Sequence, residues 1–321
     1  MRSQDIKKIA CVGGGLIGSS FAVNFALKGY PVVIYDIGDK QLDAARETVA
    51  GYLAGLRNYG ILTADQAEAA ARLVAYTASL PDAVGDVQFI QESGPENYEI
   101  KQRILAEIEK YATADTIIAS STSGLLISEI ARFARHPERC IGAHPYNPPH
   151  LIPLVEISKG DKSSPEAVAC AYDFYTLLGK EPIVLRKEAL GFIANRLQVA
   201  LYREAVDLVT RGVCSVADVD RAVTFGPGLR WAVMGPNMLF HLGGGPHGIS
   251  GIISHIGPSV EKWWADMADW KKFPAGWGEQ AQQGVEEEMA GRPAESGRSA
   301  GEIAAFRDRM LLAMLKLHNK L

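Results

Sequence analysis

A chain of 321 residues, 47% hydrophobic and 22% charged, has the make-up of a globular protein, and its length points to about two domains. The formal net charge of −4 gives nucleic acid or an anionic membrane surface nothing to hold, and no apolar run reaches the ~18 residues of a membrane span, so neither is expected as a partner. Four scattered cysteines (Cys11, Cys140, Cys170, Cys214) with no C-x-x-C predict reduced thiols in a cytoplasmic protein and no zinc centre.

The first forty residues carry the clearest signal. "KIACV" reads as a short buried strand, "GGGLIG" (Gly13 to Gly18) as a turn of G-x-G-x-x-G form, "SSFAVNFALKGY" as a helix stopped at Gly29, and "PVVIYD" as a second strand ending at Asp36. Such a strand–turn–helix–strand unit binds dinucleotides. Gly13 permits the tight turn, Gly15 lets the backbone approach a pyrophosphate, and Gly18 lets helix and strand pack closely. The helix start, at Leu16 and Ile17, then presents free N–H groups to the phosphates. Asp36 stands where a carboxylate accepts both hydroxyls of a ribose and repels a 2′-phosphate, and Ile37, Gly38 and Asp39 supply no arginine to reverse that. The predicted cofactor is NAD rather than NADP.

From Asp39 to Arg72 the pattern is a helical hairpin, broken at Asn58–Gln66, with Thr63 as the N-cap of its second helix. Strands follow at "LVAYTAS", "VQFIQES", "TIIASSTS", "RCIGAHP", "LVEISK" and "EPIVLR". Helices are predicted at "NYEIKQRILAEIEKYA", "ISEIARFA" and "SPEAVACAYDFYTLLG". This alternation predicts an α/β, Rossmann-like, doubly wound and mostly parallel sheet. Beyond "EALGFIANR" no strand pattern recurs, and all five tryptophans lie at or after Trp231. The boundary is set near Lys187, with residues 1–187 as the NAD-binding domain and 188–321 as an all-helical second domain.

Ligands of open parallel sheets lie outside the carboxyl ends of the strands. The polar residues expected there are Glu92 to Glu96, Ser120 to Ser123 and His144 to Asn147. The last group begins "AHPYNPPHLIPLVE", a proline-stiffened stretch that cannot be a regular helix and that holds His144 and Glu156 twelve residues apart.

"GGGLIGSS" with Asp36, "ESGPENYEIK", "SSTSGL", "AHPYNPPHLIPLVE" and "GFIANRL", in that order, resemble the 3-hydroxyacyl-CoA dehydrogenase family from about Lys7 to at least His241. "GPGLRWAVMGP" looks closer to the short-substrate branches of that family, the L-gulonate and carnitine 3-dehydrogenases. The resemblance implies an NAD domain followed by a helical domain that carries substrate contacts and dimerises, so a homodimer is expected. It implies His144 as catalytic base and Glu156 as its partner. Ser123 and Asn195 would bind the substrate oxygens, with Asn147 closing the H-x-x-N motif. Cofactor contacts would fall on Asp36, Gln41, Glu96 and Lys101, beside the glycine loop. One departure is Ser121, where many family members have Asn.

The chemistry agrees with these residue types. Oxidising a secondary alcohol needs a base near the working pH, and a carboxylate on the far ring nitrogen fixes the tautomer of a histidine. A metal site at His144, His150 and Glu156 is disfavoured by the prolines and by the lack of i, i+4 helical spacing. His150 is expected to line or rim the cleft. The hairpin "YLAGLRNYGILTADQAEAAAR" holds only Arg57 and Arg72, few cations for the phosphates of a CoA, whereas Arg230 offers a guanidinium fork for one free carboxylate. The expected reaction is therefore NAD-dependent oxidation of a small L-3-hydroxy acid, gulonate- or carnitine-like. Two alternatives stand beside it: a 3-hydroxyacyl-CoA thioester as substrate, and a catalytically silent NAD-binding, crystallin-like protein. The apolar stripe of "EIAAFRDRMLLAMLKLHNKL" reads as core packing, while the tryptophan-rich "VEKWWADMADW" fits a dimer interface or a cover for the cleft.

Overall fold

In the computed structural model, which describes residues 2–321, eight strands form one sheet in the order β3-β2-β1-β4-β5-β6-β7-β8. The elements run β1 (Ile9–Val12), α1 (Leu16–Leu27), β2 (Val32–Tyr35), α2 (Asp39–Asn58), α3 (Ala64–Arg72), β3 (Val74–Thr77), α4 (Leu80–Val84), β4 (Phe89–Glu92), α5 (Tyr98–Ile108), β5 (Ile117–Ser120), α6 (Ile127–Ile130), β6 (Cys140–Pro145), β7 (Leu154–Lys159), α7 (Pro165–Leu177) and β8 (Glu181–Val184). Every neighbouring pair is parallel except β6 and β7. The sheet is thus Rossmann-like and mostly parallel.

The strands are short and their side chains alternate between two cores. Ile9 and Cys11 of β1 face one core with Phe21 and Phe25 of α1 and Phe174 and Tyr175 of α7, while Ala10 and Val12 face the other with Leu105 and Ile108 of α5. From Gly18 to Ala26, α1 is buried all round: its apolar residues pack into the core, and its buried Ser19, Ser20 and Asn24 find hydrogen-bond partners in Gly14, His150 and Pro149. Thr63 caps α3 through a reciprocal bond pair with Gln66, satisfying two otherwise orphaned backbone donors. The helix expected over 127–134 stops at Ile130.

Contacts divide the described chain into two compact units, residues 2–196 with 311–321, and residues 197–310. The remaining helices are α8 (Ala194–Thr210), α9 (Val216–Phe225), α10 (Pro227–Trp231), α11 (Pro236–Gly243), α12 (Gly248–Asp266), α13 (Trp277–Gly291) and α14 (Ala300–Leu317). In the second unit Val206, Val209 and Trp277 are buried together, and Trp270 Nε1 donates to Asp207 Oδ1 at 3.2 Å. Leu312 and Leu315, near the end of α14, belong to the core of the first unit. Among the described residues, no helix is long and apolar enough to cross a membrane.

Candidate active site

The switch in strand order lies between β1, which continues to β2 on one side, and β4 on the other, so the crevice opens at the carboxyl ends of these strands. Gly13 leaves β1 with φ of +103°, and a Cβ on Gly18 would stand 1.9 Å from the carbonyl oxygen of Gly13, so neither position takes a side chain without rebuilding the turn. Gly15 is the N-cap of α1, and a Cβ there would point into open space. That space borders the first-turn amides, which have no acceptor within the helix. Asp36 Oδ2 accepts the Gly14 amide at 2.8 Å and Oδ1 that of Ile37 at 2.8 Å. This fastens the carboxylate to the loop while leaving lone pairs for a ribose. Gln41, in the first turns of α2, is exposed, with its Oε1 near Gly38. The observed cradle fits NAD.

β4 and β5 bring a second group together. Lys101 and Glu92 form a buried pair at 3.0 Å, and Lys101 also donates to the Gly94 carbonyl at 3.1 Å. Lys101 is therefore enclosed, with Glu96 3.8 Å from its ammonium. Glu96 in turn accepts from Thr122 Oγ1 and the Ser123 amide, each at 2.7 Å, which sets the turn bearing Ser123. Asn195 Nδ2 donates to the Ser123 carbonyl at 2.8 Å, so these two predicted residues do meet, through a backbone oxygen.

The antiparallel β6–β7 pair explains the twelve-residue spacing. His144 and Glu156 are opposite one another in its register, and His144 Nδ1 lies 2.9 Å from Glu156 Oε2. Both are buried. Glu156 Oε1 accepts the amides of Ile193 at 2.9 Å and Ala194 at 3.0 Å, at the start of α8. Burial acts to raise the Glu156 pKa, but the hydrogen bonds from His144, Ala194 and Ile193 outweigh it and hold the carboxyl below its ordinary value. An ionised Glu156 makes Nδ1 the donor, which leaves Nε2 of a neutral imidazole free to accept a proton.

The other predicted residues lie as follows. Asn147 is exposed, three residues past His144 on the loop that joins β6 to β7. Arg230 is exposed on α10. His150 is half-buried and engaged elsewhere, its Nδ1 2.9 Å from Ser20 Oγ and its ring centroid 4.1 Å from that of Tyr52. Among the described residues no group of three or more His, Cys, Asp or Glu could hold a metal ion.

Sequence reasoning passed over several neighbours. Phe192 is buried with φ of +49° and its ring centroid is 5.7 Å from that of His144. Positive φ is uncommon for so bulky a residue, and nothing in "GFIAN" beyond its glycine announces it. The Gly191 amide donates to the Gly124 carbonyl at 3.2 Å, joining the turns that carry Asn195 and Ser123. Gln91, fully buried, donates to Ser121 Oγ at 2.7 Å and accepts from the Tyr175 hydroxyl, so Ser121 is held from behind.

The profile of the 3-hydroxyacyl-CoA dehydrogenase NAD binding domain matches residues 8–189, and that of the 3-hydroxyacyl-CoA dehydrogenase C-terminal domain matches residues 191–284. The chain belongs to the 3-hydroxyacyl-CoA dehydrogenase family. As a 3-hydroxyacyl-CoA dehydrogenase family member it is an NAD-dependent oxidoreductase acting on a 3-hydroxy acid or its acyl-CoA form. It is 39% identical over 319 residues to an L-carnitine dehydrogenase of Streptomyces griseus, covering 99% of this chain and 92% of the relative. It is 40% identical over 311 residues to an L-carnitine dehydrogenase of Nocardiopsis dassonvillei, covering 97% and 91%. The crystal structure of 5-formyl-3-hydroxy-2-methylpyridine 4-carboxylic acid 5-dehydrogenase, described as an NAD+-dependent dismutase, superposes with a TM-score of 0.80 at 31% identity, covering 97% of this chain and 98% of that one.

Proposed function

We propose that this dehydrogenase oxidises the 3-hydroxyl of a small, free L-3-hydroxy acid, carnitine-like first and gulonate-like second. The observation that carries the reading is the buried His144–Glu156 pair, whose bonding leaves Nε2 of the histidine free at the carboxyl edge of the NAD sheet. His144 Nε2 takes the proton of the substrate hydroxyl, and Glu156 stabilises the imidazolium that results. The Ser123 hydroxyl and the Asn195 amide hold the oxygen as it turns from alkoxide-like to carbonyl, and Asn147 helps orient the substrate. NAD, when bound, supplies the hydride acceptor. Gly13, Gly15, Leu16, Ile17, Gly18, Asp36, Gln41 and Glu96 would hold it, with the buried Lys101 3.8 Å from the Glu96 carboxylate. Asp36 excludes a 2′-phosphate. Arg230 is the candidate for the substrate carboxylate on chemical grounds, since a guanidinium matches a carboxylate in two bonds. The curated relatives named L-carnitine dehydrogenase support the free-acid reading.

The test is NADH formation with L-carnitine, L-gulonate, L-3-hydroxybutyrate and 3-hydroxybutyryl-CoA, each run with NAD and with NADP. The expected result is the highest kcat/KM for a free acid, with NAD. A large preference for the thioester overturns the substrate assignment.

A homodimer is part of the same proposal. Large apolar side chains of the second unit stand exposed, among them Leu197, Val233, Trp263 and Trp264, each more than 60% accessible. A second copy of the chain would take such side chains out of water.

A further inference from the structure

Lys180 stands on the turn between α7 and β8, 6% exposed, and the mechanism above does not use it. Its Nζ donates to two backbone carbonyls, those of Pro149 and Ile152, the latter at 3.2 Å. Both belong to the loop of residues 146–153 that follows His144 and carries Asn147. No carboxylate pairs with this amine among the described residues. The charged group that faces it is Lys28, at the end of α1. Burying an amine that has no counter-ion is costly and is seldom found without a reason. Burial first, then the Lys28 charge, pushes the Lys180 pKa down to about 7. A neutral amine has two N–H donors, which matches the two carbonyls. Asn24 Nδ2 shares the Pro149 carbonyl at 3.2 Å, and the His150 amide donates to Ser20 Oγ at 2.8 Å, so the loop is tied to α1 as well.

We infer that Lys180 is a positioning residue for the dehydrogenase reaction: its buried amine clamps the proline loop between β6 and β7, and so sets Asn147 relative to His144. The loop's three prolines (Pro148, Pro149, Pro153) remove backbone donors, leaving few internal hydrogen bonds to hold its shape. The Pro149 and Ile152 carbonyls point to Lys180, whose amine reaches both from one point. The inference rests on the proposed roles of His144 and Asn147.

Lys180→Met keeps the bulk of the stem and removes the donors. The expected result is a loss of about 10-fold or more in kcat, as misplaced site groups give, with the Kd for NAD within about two-fold of wild type. Hydrogen exchange of the Leu151 and Ile152 amides, which both bond to the Pro148 carbonyl at 2.9 Å, is expected to quicken while that of β1 and β4 stays the same. A variant with a lowered Tm but wild-type kcat and loop exchange overturns the inference. Should Lys180→Met fail to fold, Asn24→Leu removes the second donor to the same loop, and wild-type kcat and exchange in that variant overturn it. Exchange reads the loop without any substrate. The two proposals fail separately: full turnover in His144→Gln sinks the catalytic reading, whereas an inactive His144→Gln beside an unaffected Lys180→Met sinks only the clamp.

Discussion

Glu156 is fully buried and accepts three hydrogen bonds, from His144 Nδ1 and the amides of Ile193 and Ala194. One carboxylate therefore orients the proposed base and caps the start of α8. Replacing His144 with Gln is expected to lower kcat by about 10²–10⁴-fold while leaving the Kd for NAD near wild type, as loss of acid–base work alone would do; steady-state kinetics with equilibrium NAD titration check this. Glu156 also has a signature in stability. Its folded-state pKa lies below the ordinary 4.5, so it contributes stability above that pH and the contribution fades as pH falls through the folded value. Glu156→Gln keeps an acceptor for the two amides but loses the charge. The expected outcome is a Tm nearly insensitive to this titration, against a wild-type Tm that drops as pH is lowered below 4.5; parallel melts across that range decide it. The candidates His144, Glu156, Ser123 and Asn195 are named from the sequence by strand ends and by the order of motifs that resemble the family, and the structure brings His144 to Glu156 and Asn195 to the Ser123 carbonyl. Phe192 is not, since a positive φ leaves no imprint on residue type when the residue is aromatic.

Among the elements, the β1–turn–α1 unit is the most completely dictated by its residues. Three glycines, an all-apolar strand and a mostly apolar, buried helix specify the arrangement, and the acid at the end of β2 closes it through the Gly14 amide. Gly18→Ala introduces a methyl 1.9 Å from a backbone oxygen that cannot retreat without moving β1 or α1. The expected result is a loss of a few kcal/mol in stability, about 1–3 for overpacking of this kind, together with a large rise in KM for NAD. Chemical denaturation and cofactor titration check both; unchanged values would show that the turn has slack. The shared ladder of His144 and Glu156 is less legible. The proline loop sets a length of twelve residues, but that length serves an antiparallel pair or a long excursion equally. Only the register of β6 on β7 puts the two side chains on one rung. The end of α6 likewise falls short of its apolar pattern, because short helices depend on tertiary packing more than on propensity.

For the whole molecule, the contrast between the units matters most. The sheet unit buries two large apolar cores, whereas the helical unit, taken alone, leaves many large apolar side chains open. A surface of that kind is expected to be covered by a second copy. Sedimentation equilibrium should therefore give a mass near twice 34.7 kDa, and Trp263→Ser with Trp264→Ser should shift the population toward monomer. A wild-type protein that stays monomeric at micromolar concentration would overturn the dimer assignment. By itself the sequence determined the α/β class, the dinucleotide turn, the preference for NAD and the family, because each depends on local chemistry at short range: glycines where a backbone must turn, an acid at a strand end, periodicities of two and near four. The tertiary structure alone decided the partners. It gave Glu156 a second task at α8, turned His150 away to Ser20 and Tyr52, enclosed Lys101 against Glu92, set Lys180 under the loop, and sent Leu312 and Leu315 to the core of the first unit. Those outcomes hang on which segments, far apart in the chain, share a desolvated space, and residue type in one stretch carries no record of what lies across from it.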